Sequence, residues 1–129
     1  YEEAYLLSDK KLGGSDTFAT GLALASLLRH LGFTPQNNQG FIVLAGRQTS
    51  DGDTAHVPSQ VAANLDIPQA TFVEHITFDD KACVLAKRII EGGFQQMKLP
   101  LPCVISLTPT GISPRKPTLF GMIKARNKM

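Results

Sequence analysis

The chain has 129 residues, of which 43% are hydrophobic and 19% are charged, and its formal net charge is +2. This composition is typical of one globular domain with its own core and excludes an intrinsically disordered chain. The small charge gives no argument for a nucleic-acid or membrane surface. No apolar run approaches the roughly 18 residues that a membrane-spanning helix needs.

The first predicted element is a strand over residues 2–9, followed by a short loop. Ser15 or Asp16 can cap the next element, a helix that continues to about residue 31. Gly32 then supplies the left-handed residue that commonly ends a helix. This helix carries a broad apolar stripe and several small residues, a combination that allows close packing on a sheet.

A buried strand is predicted over residues 41–45, and a glycine- and serine-containing loop separates it from a second helix. Such a strand–loop–helix unit is a natural phosphate site, because unpaired amides and the positive end of the helix dipole favour an anion. Asp53 can cap this helix, and Asp51 can accept from its own turn backbone or from a ribose hydroxyl. The alternative is a capped loop without a ligand, since neither GxxxxGK nor GxGxxG is present.

Strands and helices alternate up to this point, which predicts an α/β fold with a doubly wound parallel sheet. A ligand is then expected at the carboxyl ends of the strands, where the loops over residues 8–15 and 46–54 both lie. Residues 71–78, 81–90 and 94–99 are predicted to add antiparallel strands to this sheet. Residues 103–107 follow as another buried strand.

Two cysteines, Cys83 and Cys103, lie 20 residues apart without Cys-x-x-Cys spacing. Two free, buried thiols in a reducing compartment are favoured over a disulfide, and a cytoplasmic location is expected. The last segment contains a short basic helix predicted from about Thr118. Its positive charge fits either a solvated tail or a docking surface.

One segment resembles the adenine-nucleotide loop of the electron transfer flavoprotein beta subunit family, namely GRQTSDGDTAHVPSQVA. The pattern in that family is G-(R/K)-Q-x-x-D-G-D-T-A-Q-V-G-P-Q. Four further blocks match family segments in the same order: LLSDKKLGGSDTFATGLALA, IPQATFV, EGGFQQMKLPLPCVISL and SPRKPTLFGMIKA. The resemblance covers essentially the whole chain. Because full members are longer, residues 1–129 are expected to be the later, partial nucleotide-binding domain of a larger subunit.

The resemblance implies a Rossmann-like, adenine-nucleotide alpha-hydrolase-like fold and an electron carrier rather than an enzyme. The implied cofactor is FAD or AMP, and DGDTA favours FAD because it resembles the bifurcating and other prokaryotic members. The loop amides and the Thr54 hydroxyl would hold phosphate, while Arg47 and Gln48 line the site. The implied cofactor-binding residues are Gly46, Arg47, Gln48, Thr49, Ser50, Asp51, Gly52, Asp53, Thr54, Ala55, His56 and Val57.

The implied partners are an electron transfer flavoprotein alpha subunit and an acyl-CoA-type or other dehydrogenase, which would dock on residues 107–129. Leu119 falls on the family's anchoring leucine, with Arg115 and Lys124 in the basic rim around it. The alternative is that Leu119 packs its own helix onto the domain. No nucleic acid and no membrane insertion are expected.

The sequence departs from the family pattern in the loop: His56 stands where glutamine is usual, and Pro58-Ser59 replaces Gly-Pro. If the helix begins at Thr54, Pro58 removes an interior backbone donor. Two other functions stay open. One is an adenine-nucleotide binding or hydrolysing module without flavin, with Asp51 and Asp53 holding a metal; the other is a structural subunit fragment with a loop that binds nothing.

Overall fold

Five strands form one mixed sheet in a computed structural model that describes residues 3–37, 40–79, 82–110 and 116–126. They are β1 (Ile42–Gly46), β2 (Gln69–Phe78), β3 (Cys83–Ile90), β4 (Gly93–Pro100) and β5 (Cys103–Leu107), in the spatial order β1-β5-β2-β3-β4. Both β1 and β2 run parallel to β5, whereas β3 is antiparallel to β2 and β4. The predicted α/β fold with an added antiparallel region is confirmed.

Two helices, α1 (Thr17–His30) and α2 (Val57–Leu65), pack against each other, and α2 also contacts β5 and β2. The carboxylate of Asp16 accepts a hydrogen bond from the amide of Ala19 at 2.7 Å, which confirms the predicted cap of α1. Gly32 has the expected left-handed conformation, with φ of 84°. A third helix, α3 (Leu119–Arg126), has no buried residue.

The core lies on both faces of β5, because successive side chains of a strand point to opposite sides. Val104 belongs to the cluster beneath the helices, together with Ala25 of α1 and Val61 of α2. The neighbouring Ile105 belongs to a second cluster, which it shares with buried residues of β2, β3 and β4. The antiparallel strands therefore contribute buried residues to the hydrophobic core.

One predicted strand is wrong: the described part of the N-terminal segment, residues 3–9, has no regular secondary structure. A strand exists only when its backbone groups pair in a ladder, and no described strand pairs with this segment. Its apolar side chains are correspondingly exposed, Leu6 by 92%. Asp9 instead accepts from the amide of Lys11 and caps a single 3-10 turn at Lys10–Leu12.

Both cysteines are free thiols, as predicted. Cys103 is buried in β5, and this burial raises the pKa of its thiol, whereas Cys83 is only half-buried. None of the described helices combines the length and apolar character required to cross a bilayer.

Candidate functional site

A cleft of about 340 Å³ opens where β1 ends and α2 begins. Its position at the carboxyl end of a parallel strand agrees with the place where α/β sheets bind ligands. Eight of the twelve predicted cofactor-binding residues line it: Gly46, Arg47, Gln48, Thr49, Thr54, Ala55, His56 and Val57. The cleft thus brings together the two ends of the predicted loop.

The tip of the loop, Ser50, Asp51, Gly52 and Asp53, does not line the cleft. It forms a turn in which the amide of Asp53 donates to the carbonyl of Thr49 at 3.1 Å. The Thr49 hydroxyl, followed by the amides of Asp51 and Gly52, lowers the pKa of the Asp51 carboxyl. Asp51 therefore accepts hydrogen bonds from its own turn, which is one of its two predicted roles; the other was to accept from a ribose hydroxyl.

Helix α2 begins at Val57, not near Thr54, and Asp53 does not cap it. Asp53 adopts a left-handed conformation, with φ of 48°, and its carboxylate accepts from the side-chain amide of Gln48. His56 occupies the cap position without a side-chain capping bond. Pro58 lies in the first turn, where a backbone amide has no intrahelical acceptor, so the expected loss of an interior donor does not occur.

Arg47 is the cation of the cleft, and contacts on two sides hold its side chain. Its Nε donates to the side-chain oxygen of Gln48 at 3.0 Å, and Gln48 in turn donates to Asp53. The guanidinium carbon lies 5.9 Å from the centre of the Phe72 ring. Arg47 and Gln48 also line an adjacent open hollow beside Leu107 and Thr108.

Sequence reasoning missed four lining residues. Ala45 and Pro58 directly flank the predicted loop, whereas Thr20 and Leu24 belong to α1. The signal was available, because a residue one turn inside the start of α1 lies at the same edge of the sheet as the loop after β1. The loop over residues 8–15, expected near the ligand, contributes Leu12 and Ser15 to a neighbouring hollow that shares Thr20 and Leu24 with the cleft.

The floor of the cleft is apolar. Ala45, Val57 and Leu24 continue it into a hollow lined almost wholly by aliphatic side chains of α1, α2 and β1. An apolar floor suits a planar base, while the Arg47 guanidinium and the first-turn amides of α2 suit a phosphate. The side chains of the cleft therefore fit an adenylate group.

A metal site has no comparable support. Within the described ranges, no three histidine, cysteine, aspartate or glutamate side chains come together. Asp51 and Asp53, the two carboxylates considered for this role, are engaged by Thr49 and Gln48. Each of these carboxylates is therefore already hydrogen-bonded within its own loop.

Two of the three predicted docking residues, Leu119 and Lys124, do not line the cleft. Leu119 is 66% exposed at the start of α3, and Lys124 is exposed in the last turn of that helix. Arg115, the third residue of that prediction, lies outside the described residues.

Comparison with known proteins matches residues 1–128 to the family profile described as "Electron transfer flavoprotein domain". The chain is 41% identical to the electron transfer flavoprotein subunit beta of Megasphaera elsdenii over 128 residues, which is 98% of this chain and 47% of that protein. It is 38% identical to the caffeyl-CoA reductase-Etf complex subunit CarD of Acetobacterium woodii, covering 96% of this chain and 45% of that subunit. It is 34% identical to the acryloyl-CoA reductase electron transfer subunit gamma of Anaerotignum propionicum, covering 98% and 46%. The chain thus spans about half the length of these relatives.

Proposed function

The chain belongs to the electron transfer flavoprotein domain family, and we propose that it serves in a beta subunit that binds the adenylate part of FAD, or AMP, in the cleft between β1 and α2. The observation that carries this proposal is the convergence of eight loop residues on one cleft with a cationic side and an apolar floor. An electron carrier needs no acid–base group at this place, because the protein contributes binding, orientation and electrostatics.

Each part of the cleft has a role in this proposal. The Arg47 guanidinium and the first-turn amides of α2 other than at Pro58, which has no N–H, hold the phosphate, since both present donors and positive charge. Leu24, Ala45 and Val57 contact the base and exclude water from it. The tip over residues 50–53 keeps the loop in shape through its own hydrogen bonds.

FAD is our preferred ligand, in line with the prokaryotic character of the DGDTA sequence. Bound FAD would supply one- and two-electron chemistry that side chains lack. The cleft volume of about 340 Å³ suits an adenylate group, which FAD and AMP share, so the flavin portion of FAD would extend beyond it.

The proposed partners are an alpha subunit and a dehydrogenase. Relatives with names that place them in caffeyl-CoA and acryloyl-CoA reductase systems support an acyl-CoA type of dehydrogenase. The docking segment we propose is α3, where Leu119 is an exposed apolar anchor and Lys124 belongs to a basic rim.

The test is mass spectrometry of a denatured extract, with visible absorbance, on the protein purified with its natural partner. Two FAD per heterodimer would support a flavin in this subunit, and one FAD with one AMP would support AMP in the cleft. A complex that yields neither two FAD nor any AMP would contradict the proposal.

A variant locates the ligand. Because a charge-assisted hydrogen bond contributes about 1.5–3 kcal/mol, Arg47→Gln should weaken AMP binding by about 10- to 100-fold in calorimetry. Arg126→Gln, in the exposed last turn of α3, is the matched control and should bind like the wild type. Equal affinity of all three proteins would remove Arg47 from the site.

A further inference from the structure

Strand β2 carries a bulge beside the cleft. Ala70 pairs with Ile105 of β5, and Val73 pairs with Leu107, so β2 advances three residues while β5 advances two. Phe72 lies within this extra step and has φ of 58°. Positive φ is a genuine outlier for a bulky aromatic residue, and such strain persists only where the surrounding structure imposes it.

Hydrogen bonds from β5 and its continuation hold both sides of the bulge. The amide of Phe72 donates to the hydroxyl oxygen of Ser106 at 3.2 Å, in place of a regular ladder partner. Ser106 is 2% exposed and is the polar side chain buried in the described core. On the other side, the Thr108 amide donates to the carbonyl of Val73 at 2.8 Å, and the Thr108 hydroxyl donates to the same oxygen at 3.3 Å.

The bulge brings Phe72 and Arg47 together across the end of β5. Gly46, the last residue of β1, pairs with Leu107, and Leu107 pairs with Val73, so the residues next to this row come within reach of one another. The Arg47 guanidinium carbon lies 5.9 Å from the Phe72 ring centre, within cation–π range. The side-chain oxygen of Gln48 accepts the hydrogen bond from Nε of Arg47. The two Nη groups of the guanidinium can then donate side by side to a phosphate.

We propose that Phe72 is a positioning residue for the ligand phosphate: the strained bulge, held by Ser106 and Thr108, places its ring against Arg47 and fixes the guanidinium at the mouth of the cleft. This inference rests on the proposed adenylate site. It adds a residue that does not contact the ligand itself and acts on it by orienting Arg47. A preorganised guanidinium loses less side-chain entropy when the phosphate binds.

The experiment compares AMP with adenosine by titration calorimetry on the wild type, Phe72→Leu and Phe72→Tyr. Phe72→Leu removes the ring face and should weaken AMP about three- to tenfold while leaving adenosine unchanged, because only AMP carries the phosphate. Phe72→Tyr keeps the ring face and should restore the preference for AMP. The inference would be overturned if Phe72→Leu weakened adenosine as much as AMP, or if it left the ratio of the AMP and adenosine affinities unchanged. It would also be overturned if Phe72→Tyr lost AMP affinity as Phe72→Leu does.

Failure of the proposed function is distinguishable, because a wild type that binds neither AMP nor adenosine defeats the adenylate site itself. The interaction between Arg47 and Phe72 can then be measured without ligand, by urea unfolding of Arg47→Gln, Phe72→Leu and the double variant. The unfolding constant of the double variant should depart about two- to fivefold from the product of the single effects. Additive effects would overturn the positioning role whether or not a nucleotide binds.

Discussion

At the scale of single residues, Thr49 organises the tip of the cleft loop. Its hydroxyl accepts from the Gly52 amide at 3.4 Å, its carbonyl accepts from Asp53, and its side chain is the largest cause of the lowered pKa of Asp51. A carboxyl whose folded pKa lies below its unfolded value stabilises the fold above that unfolded value. The contribution is lost as the pH falls through the lower, folded pKa.

We therefore expect Thr49→Val to raise the pKa of the Asp51 carboxyl, because the valine side chain cannot donate to the ionised form. Carbon-detected NMR titration of the aspartate carboxyls measures this directly. Ser50→Ala is the matched control, since the Ser50 hydroxyl is not among the causes of the shift, and it should leave the titration unchanged. A Thr49→Val protein with the wild-type Asp51 pKa would contradict this account of the loop.

The same loop marks the limit of sequence reasoning at this scale. The position of the cleft was predictable, because a strand followed by a glycine-containing loop and a helix leaves an opening at the carboxyl end of the strand. The start of α2 was misjudged because Asp53 is a good cap by residue type, whereas the chain makes left-handed turns at Asp53 and Ala55 before the helix begins. Pro58 indicates the start of α2 better than Asp53 does, since proline favours the first turn of a helix.

At the scale of elements, the α1–α2 contact depends on a glycine. A Cβ on Gly21 would lie 2.4 Å from the Cβ of Gln60 in α2, a distance that real side chains do not tolerate. Gly21 is buried in α1, so the two helix backbones approach more closely there than an alanine would allow. This close approach lets α2 lie against both α1 and the sheet, and it sets one wall of the cleft.

Gly21→Ala should therefore destabilise the protein by about 1–3 kcal/mol through overpacking, although alanine favours helix by itself. Equilibrium urea unfolding provides the measurement. Gly121→Ala in α3 is the control, because its Cβ would meet only the exposed Thr118 hydroxyl, at 3.1 Å, and no buried residue. A Gly21→Ala protein at least as stable as the wild type would mean that the two helices can separate without loss.

Element prediction succeeded for β3, β4 and β5, which fall within two residues of their predicted bounds. In β3 and β5, β-branched residues between turn signals fit a pleated, half-buried surface. In β4 only Leu99 is buried, and the glycine and proline at its ends gave its limits. The segment over residues 3–9 has a strand-like apolar pattern but no ladder partner in the described chain. The bulge at Phe72 was equally invisible, since a positive φ in an aromatic residue follows from its neighbours in β5 and not from local propensity.

At the scale of the whole molecule, α3 differs from the other two α-helices of the described chain. All eight of its residues are exposed, including Phe120, Met122 and Ile123, whereas α1 and α2 each bury part of one face. A helix of eight residues gains little from propensity alone, and most helices are stabilised by packing of an apolar face. Exposed apolar residues next to Lys124 and Arg126 support the docking surface proposed above.

The two interpretations of Leu119, docking anchor or internal packing, predict different stabilities. If α3 is free for a partner, Leu119→Ala should change the free energy of unfolding by less than about 0.5 kcal/mol, the usual range for surface substitutions. Leu99→Ala, at a leucine that is 3% exposed in the second core cluster, is the matched comparison and should cost about 2–5 kcal/mol. Urea unfolding of both variants at one protein concentration decides between the interpretations. If Leu119→Ala lowered the free energy of unfolding nearly as much as Leu99→Ala, α3 would pack on the domain and leave no anchor for a dehydrogenase.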